Sequence, residues 1–120
     1  MTSRASTASA RQEAYVEAVL RIVEQVPAGR ATTYGLIAEA VGSGAARNVG
    51  RVMALYGSSV TWWRVVRTDG SLPEPLRGEA LARYREEGTP LSGSIRDAGT
   101  QRVDLAACLW QPRLPRQPAD

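Results

Sequence analysis

Arginine and tryptophan side chains are concentrated in the middle of the chain, at Arg47, Arg51 and Trp62-Trp63-Arg64. A guanidinium group offers a planar fork to phosphates and a stacking surface to bases, and an indole stacks on flat rings. Residues 30–67 carry five Arg and a single acid, Glu39, whereas the rest of the chain carries 10 Arg and 11 acids. This distribution predicts that the middle segment faces a polyanion.

The residue types that the chain lacks exclude much of nucleophilic and metal chemistry. There is no histidine, and Cys108 is the single cysteine. A Ser-His-Asp or Cys-His arrangement therefore cannot form, and neither can a cluster of thiolate ligands, so we expect no metal and no cofactor. Cys108 lies in an apolar segment, where we expect a buried structural thiol. Paired carboxylates remain available, so enzymatic activity is disfavoured but not excluded.

The length of 120 residues predicts one domain, and 43% hydrophobic residues are enough for one modest core. No apolar run is long enough to predict a membrane span. Residues 1–11 are rich in Ser, Thr and Ala, and we expect a disordered lead rather than a secretory signal. The domain then covers residues 12–112, and residues 113–120 form a Pro-rich tail. Without a targeting signal we expect the cytoplasm, with association with the nucleoid when DNA is bound.

Apolar periodicity and glycine positions predict three helices in the first half of the chain. The first covers Gln12–Val26, and the second covers Tyr34–Val41 with a hydroxyl N-cap supplied by Thr32-Thr33. A glycine turn at residues 42–44 leads into a third helix, from Ala45 to Leu55. A short helix, a glycine turn and a longer helix with basic residues facing outward are typical of a helix-turn-helix.

The second half of the chain predicts a small β element. Val65-Val66 begins a strand, residues 68–71 form a turn, and Leu72 starts a return strand, so that the hairpin forms a wing. A further helix is expected at Gly78–Glu87, and the apolar segment 102–110 docks as a strand or short helix. The predicted fold class is mainly α, a single winged helix-turn-helix-like domain with a small β wing.

Three sequence blocks stand in order: PAGRATTYGLIA at 27–38, ARNVGRVM at 46–53 and TWWRVV at 61–66. Together they resemble the DNA-binding domain of the O6-alkylguanine-DNA alkyltransferases. The first is similar to that family's PxGxVTTYGxIA block, the second to its recognition-helix block ARxVGxAM, and the third occupies the place of its active-site block PCHRV. The resemblance covers roughly residues 13–112.

The third block departs from the family in its chemistry. Trp62 stands at the position of the cysteine nucleophile, and Trp63 at the position of the histidine. A thiolate accepts an alkyl group at neutral pH, whereas an indole carbon does not do so at a useful rate. The chain therefore resembles the alkyltransferase-like proteins, which carry tryptophan at the nucleophile site and bind the lesion without repairing it. Their usual block is PWHRV, so Thr61 and Trp63 leave the detail of the pocket open.

The resemblance implies a set of residue roles. The recognition helix enters the minor groove, and the damaged guanine rotates out of the duplex into a pocket. Arg47 fills the vacated place in the base stack, Tyr34 pushes the phosphate of the target nucleotide, Gly50 lets the helix backbone approach the groove, and Trp62 forms a wall of the pocket. The alternative for Arg47 is a solvated helix face, that for Tyr34 and Trp62 is the core, and that for Gly50 is tight helix packing.

Further candidate residues for contact with DNA or the lesion come from the predicted third helix, the third block and the segment before Gly78. Asn48 and Arg51 contact phosphate or sugar, or lie on a solvated face, whereas Met53 and Val65 match apolar pocket positions or belong to the core. In the alkyltransferase-like relatives that carry tryptophan, an arginine in the loop after the wing turn helps to read the base. Its position matches Pro75 here, and a shifted loop would let Arg77 take its place. The remaining candidate residue is Thr33. Glu87-Gly88 resembles a pair that supports the family's histidine, but here we interpret it as a helix end.

The sequence therefore predicts a damage sensor that is not an enzyme. It binds duplex DNA containing O6-alkylguanine, flips the base and marks the site for nucleotide excision repair, whose damage-recognition ATPase would be its partner. We expect a monomer with no membrane partner. Two alternatives stay open. One is an alkyltransferase or glycosylase that uses another group, and a glycosylase could use a lone acid such as Glu39, Glu74 or Glu87. The other is a winged-helix transcription factor.

Overall fold

The computed structural model describes residues 4–97 and 99–112. Helix α1 covers Arg4–Gln25, so it begins well before Gln12, and the expectation of a disordered lead is wrong from Arg4 to Arg11. Alanine has the highest helix propensity, and no Gly or Pro interrupts this segment, so the helix continues past the residues that it buries. The expected Pro-rich tail, 113–120, lies outside the described residues.

Helices α2 (Tyr34–Val41) and α3 (Ala46–Tyr56) form the predicted helix-turn-helix, within one residue of the expected bounds. The hydroxyl of Thr33 caps α2 by accepting a hydrogen bond of 3.1 Å from the backbone N–H of Leu36. Gly42 ends α2 in the left-handed conformation, at φ 87°. Local capping chemistry thus fixes both ends of α2.

The first core cluster lies where α1 packs against α2 and α3. Its apolar side chains come from one face of each helix and from Val65, which follows α3 in the chain. Burial therefore removes a continuous apolar surface from water. The buried members are Val19, Val23, Ile37, Ala38, Val49, Val52 and Val65. This cluster fixes the position of α3 on the domain.

The described β-structure consists of two short ladders and one isolated bridge between Ala31 and Leu109. Strand β1 (Thr32–Thr33) pairs in parallel with β2 (Val65–Val66), so the predicted return strand at Leu72 is wrong. Pro73 follows Leu72 and has no N–H to donate, so a strand could not continue there. The antiparallel ladder instead joins β3 (Leu91–Ser92) to β4 (Arg102–Val103), and β4 lies in the segment that was expected to dock as a strand or short helix.

The second core cluster lies between helix α4 (Glu74–Glu87), β2, β4 and helix α5 (Leu105–Cys108). Helix α4 begins ahead of the predicted start at Gly78, because a proline in the first helical turn needs no hydrogen-bond acceptor for its nitrogen. Cys108 is buried in this cluster, where its thiol donates to the backbone oxygen of Asp104 at 3.3 Å. Burial raises the pKa of the Cys108 thiol, and the expectation that this thiol is buried is confirmed.

No helix in the described part of the chain combines the length and the hydropathy that a membrane span requires. Over residues 4–97 and 99–112, His, Cys, Asp and Glu side chains do not gather in threes in a way that would suit a metal ion.

Candidate nucleic-acid interface

A cavity of about 380 Å³ opens between α3 and the N-terminal half of α4. Its wall is mostly apolar and aromatic, which suits a flat, weakly polar ligand, and its volume lies in the usual range for small-molecule sites. The residues that line it are Tyr34, Gly50, Met53, Ala54, Gly57, Ser58, Trp62, Leu72, Pro73, Leu76 and Glu79.

Four of the residues singled out in the sequence meet at this cavity: Tyr34, Gly50, Met53 and Trp62. They come from the start of α2, from α3 and from the turn before β2, so residues up to 28 positions apart share one wall. Burial raises the pKa of Tyr34, and the nearby Arg67 guanidinium opposes this only in part. The Tyr34 hydroxyl is therefore neutral at neutral pH and is available as a hydrogen-bond donor.

The outer face of α3 carries the basic residues beside this cavity. Arg47 and Arg51 are exposed, as predicted. Asn48 is exposed as well, but its side-chain oxygen accepts a 2.8 Å hydrogen bond from the backbone N–H of Ala45 at the start of the helix. This contact leaves the side-chain amide group of Asn48 as the part that can donate to a ligand. The face thus combines two exposed guanidinium groups with one amide that a hydrogen bond holds in place.

Gly50 lies on α3 where that helix borders the cavity. A Cβ atom added at Gly50 would meet nothing within 4 Å. Tight packing within the protein therefore does not explain this glycine, although glycine lowers helix stability by roughly 0.5–1 kcal/mol relative to alanine. A smooth backbone surface at this point suits the close approach of another molecule.

Trp62 and Trp63 take different roles in a single turn of 3₁₀-helix, Trp62–Arg64. Trp62 lines the cavity. Trp63 packs beside the second core cluster, where its indole N–H donates to Glu87 Oε2 at 3.0 Å and its backbone oxygen accepts from the Tyr84 hydroxyl at 2.7 Å. The guanidinium carbon of Arg83 stands 4.9 Å from the centre of the Trp63 ring. Trp63 is thus fixed from three sides.

Glu87 makes a set of tertiary hydrogen bonds that the sequence reasoning did not predict, since it interpreted this residue as a helix end or as a possible catalytic acid. It does end α4, ahead of Gly88, but it also accepts from Arg64 Nε at 3.0 Å and from the backbone N–H of Gly29 at 3.2 Å. Burial raises its pKa, but the hydrogen bonds from Arg64, Gly29 and Trp63 outweigh burial, so the pKa of Glu87 lies below its ordinary value. A signal was present: two adjacent polar donors, Trp63 and Arg64, require an acceptor when they are half-buried.

Three of the sequence candidates lie neither at the cavity nor on the exposed face of α3. Val65 is fully buried in the first core cluster. Thr33 is buried, and its hydroxyl is used to cap α2. Arg77 donates through Nε to the backbone oxygen of Leu72 at 2.7 Å and lines a separate cleft, because the early start of α4 places this residue in the helix rather than in a loop before it.

Comparison with known proteins identifies the family. A model of the family described as "6-O-methylguanine DNA methyltransferase, DNA binding domain" matches residues 14–87. The chain is 34% identical over 103 residues to a DNA base-flipping protein of Escherichia coli (strain K12), a match that covers 83% of this chain and 77% of that protein. It is 30% identical over 97 residues to a DNA base-flipping protein of Vibrio parahaemolyticus serotype O3:K6 (strain AQ3810), which covers 78% of this chain and 93% of that protein.

Two solved structures share this architecture. One is S. pombe Atl1 in complex with damaged DNA containing O6-carboxymethylguanine, with a TM-score of 0.70, 27% identity, and coverage of 83% of this chain and 97% of that chain. The other is S. pombe ATL in complex with DNA, with a TM-score of 0.68, 29% identity, and coverage of 84% and 97%. The resemblance read from the three sequence blocks is confirmed, and the chain belongs to the family of the 6-O-methylguanine DNA methyltransferase DNA-binding domain.

Proposed function

We propose that this protein binds duplex DNA that contains O6-alkylguanine, rotates the damaged base out of the helix and holds it in the cavity beside Trp62. The observation that carries the proposal is the shared wall of Tyr34, Gly50, Met53 and Trp62 next to the exposed arginines of α3. An apolar slot beside a basic helix suits a flipped, alkylated base whose phosphates stay in solvent. The names of the relatives support the flipping step.

The energetic balance favours damaged bases over undamaged ones. Stacking a base on an aromatic side chain contributes about 1–3 kcal/mol. Extruding a base from the duplex costs a few kcal/mol, and the cost is lowest for a mismatched or damaged pair. Stacking on Trp62, together with insertion of Arg47 into the vacated stack, nearly offsets this cost for an alkylated guanine. An undamaged pair costs more to open and has no alkyl group to bury.

The proposed binding does not include a chemical reaction. The chain has no histidine, and its single cysteine, Cys108, is buried in the second core cluster rather than at the wall of the cavity. At the position where the resemblance places the nucleophile stands Trp62, whose indole does not accept an alkyl group at a useful rate. The alkyl group would therefore stay on the guanine, and the lesion would be released from the cavity without chemical change.

A sensor that leaves the lesion in place needs another activity to remove it. We therefore extend the proposal to nucleotide excision repair, with its damage-recognition ATPase as the partner and the protein acting as a monomer. The support for this step is the resemblance to the alkyltransferase-like proteins.

The proposal is tested by competition between a duplex containing O6-methylguanine and the same duplex undamaged, across a range of salt concentrations. We expect the damaged duplex to bind more tightly at every salt concentration, and both affinities to fall as salt rises, because phosphate contacts release counterions. Mass spectrometry of the protein and DNA after incubation is the second readout. Equal competition overturns the sensor, and alkylated protein or released base overturns the absence of reaction.

A further inference from the structure

A carboxylate lies at the wall of the cavity that the proposed function assigns to the damaged base. Among the described residues that line this cavity, Glu79 is the only one with a charged side chain. It belongs to α4, and its side chain is 63% exposed. A ligand can therefore reach it, and any occupant of the cavity meets one negative charge.

The same carboxylate borders a second, adjoining cleft. This cleft has a volume of about 450 Å³ and shares Ser58, Trp62 and Glu79 with the cavity. The other charged residues at its wall are Glu24 and Arg83, so acids outnumber the single arginine. An O6 substituent that extends past Trp62 enters a region of net negative charge.

Arg83 compensates for this charge only in part. Its Nη2 atom is 3.9 Å from Glu79 Oε2, and its Nη1 atom is 3.8 Å from Glu86 Oε1. The same guanidinium also stands over the ring of Trp63. One exposed cation is thus shared between two carboxylates and a ring at distances longer than a direct hydrogen bond, so these three charged groups keep a net charge of −1.

We infer that the cavity selects O6-alkyl substituents by charge and binds neutral and cationic ones more tightly than those that carry a carboxylate. This inference rests on the proposed function. A carboxylate within a few ångströms of Glu79 is repelled, and an ammonium group is attracted. Because Glu79 is exposed, water and salt weaken both effects, and we expect about threefold to tenfold discrimination at low salt.

The test uses five duplexes that differ only at one guanine: undamaged, O6-methyl, O6-(2-hydroxyethyl), O6-carboxymethyl and O6-(2-aminoethyl). Hydroxyethyl is the neutral, size-matched control for carboxymethyl. The wild-type protein is expected to bind the hydroxyethyl duplex about threefold to tenfold more tightly than the carboxymethyl duplex, and the aminoethyl duplex at least as tightly as the hydroxyethyl duplex. This ratio should shrink as salt is raised.

Glu79→Gln should bring the hydroxyethyl-to-carboxymethyl ratio close to one. A ratio cancels the uniform gain in DNA affinity that follows from the loss of any negative charge. Glu86→Gln is the matched control, since it removes the same charge from the same helix and also contacts Arg83 but does not line the cavity or the cleft, and its ratio should stay at the wild-type value. A wild-type ratio of one, or an unchanged ratio in Glu79→Gln, overturns the inference. If O6-methyl and undamaged duplexes bind equally, the proposed function itself fails.

Discussion

Trp62 and Trp63 meet edge to face, with ring centroids 5.6 Å apart and ring planes at 87° to each other. Trp63 is held in place by Glu87, Tyr84 and Arg83. Its edge-to-face contact therefore restricts the orientation of the Trp62 ring at the cavity wall. Edge-to-face contact of this kind contributes about 0.5–1.5 kcal/mol beyond burial. The pair therefore presents a preorganised stacking surface, because the partner ring is already fixed before a base arrives.

Replacing Trp62 should remove most of the preference for damaged DNA. We expect Trp62→Ala to lower the ratio of damaged to undamaged affinity by about 5- to 100-fold, which corresponds to the loss of one base–aromatic stack. Trp62→Phe should retain part of the ratio, since a smaller aromatic ring remains. The measurement is competition binding with O6-methylguanine and undamaged duplexes. An unchanged ratio in Trp62→Ala would mean that the base does not stack on this wall.

Arg47 and Arg51 lie on the same exposed face of α3 but should respond differently to substitution. Arg47→Ala should weaken binding of the damaged duplex by about threefold to thirtyfold, because the guanidinium group no longer stacks on the orphan base. It should also lower the fraction of damaged bases that are flipped out. Arg51→Ala should weaken damaged and undamaged binding equally and lower the salt slope by about one. Fluorescence of 2-aminopurine beside the lesion reports flipping. An intact signal in Arg47→Ala argues against insertion of this residue.

The ring of Tyr34 should matter for lesion preference more than for general DNA affinity. Burial raises the pKa of its hydroxyl, so no charge on Tyr34 repels phosphate at neutral pH. We expect Tyr34→Ala to lose damaged-duplex affinity severalfold more than undamaged affinity. Tyr34→Phe, which keeps the ring, should retain more of the preference. Equal losses on both duplexes in Tyr34→Ala would contradict a role in holding the nucleotide out of the helix.

Gly50→Ala should raise stability and lower DNA affinity at the same time. A Cβ atom at this position meets nothing within 4 Å, and alanine in a helix interior is favoured over glycine by about 0.5–1 kcal/mol. The thermal midpoint should therefore rise, while the added methyl group obstructs close approach of the helix to DNA. Thermal unfolding and binding of undamaged duplex measure the two effects. A rise in the midpoint with unchanged affinity would place the contact elsewhere on α3.

Local signals in the sequence were sufficient for the helix-turn-helix. The bounds of α2 follow from the Thr33 cap and the glycine at 42, and those of α3 follow from apolar periodicity, because each depends on neighbours a few residues away. The start of α1 was missed, since helix propensity without burial leaves no apolar pattern.

Long-range contacts could not be read from the sequence in the same way. The strand Val65–Val66 pairs with Thr32–Thr33 rather than with its neighbour at Leu72, and periodicity does not encode the choice of a distant partner. Glu87 meets Gly29 although 58 positions separate them. Arg77 was misplaced because its direction depends on where α4 begins, and helix boundaries are the least certain part of a sequence-based prediction.

Glu87→Gln should destabilise the fold by about 2 kcal/mol at neutral pH, because Arg64 would lose a buried charge partner; the two side chains are 15% and 13% exposed. Hydrogen bonds from Arg64, Gly29 and Trp63 outweigh burial and lower the pKa of Glu87. Its contribution is therefore complete above the unfolded-state pKa, near pH 4.3, and is lost as pH falls through the lower folded-state pKa. Urea unfolding should show a constant gap between wild type and variant above about pH 5, narrowing below about pH 4. Glu86→Gln, an exposed change on the same helix, should show little gap at any pH, and a wild-type–Glu87→Gln gap that widens in acid would contradict the assignment.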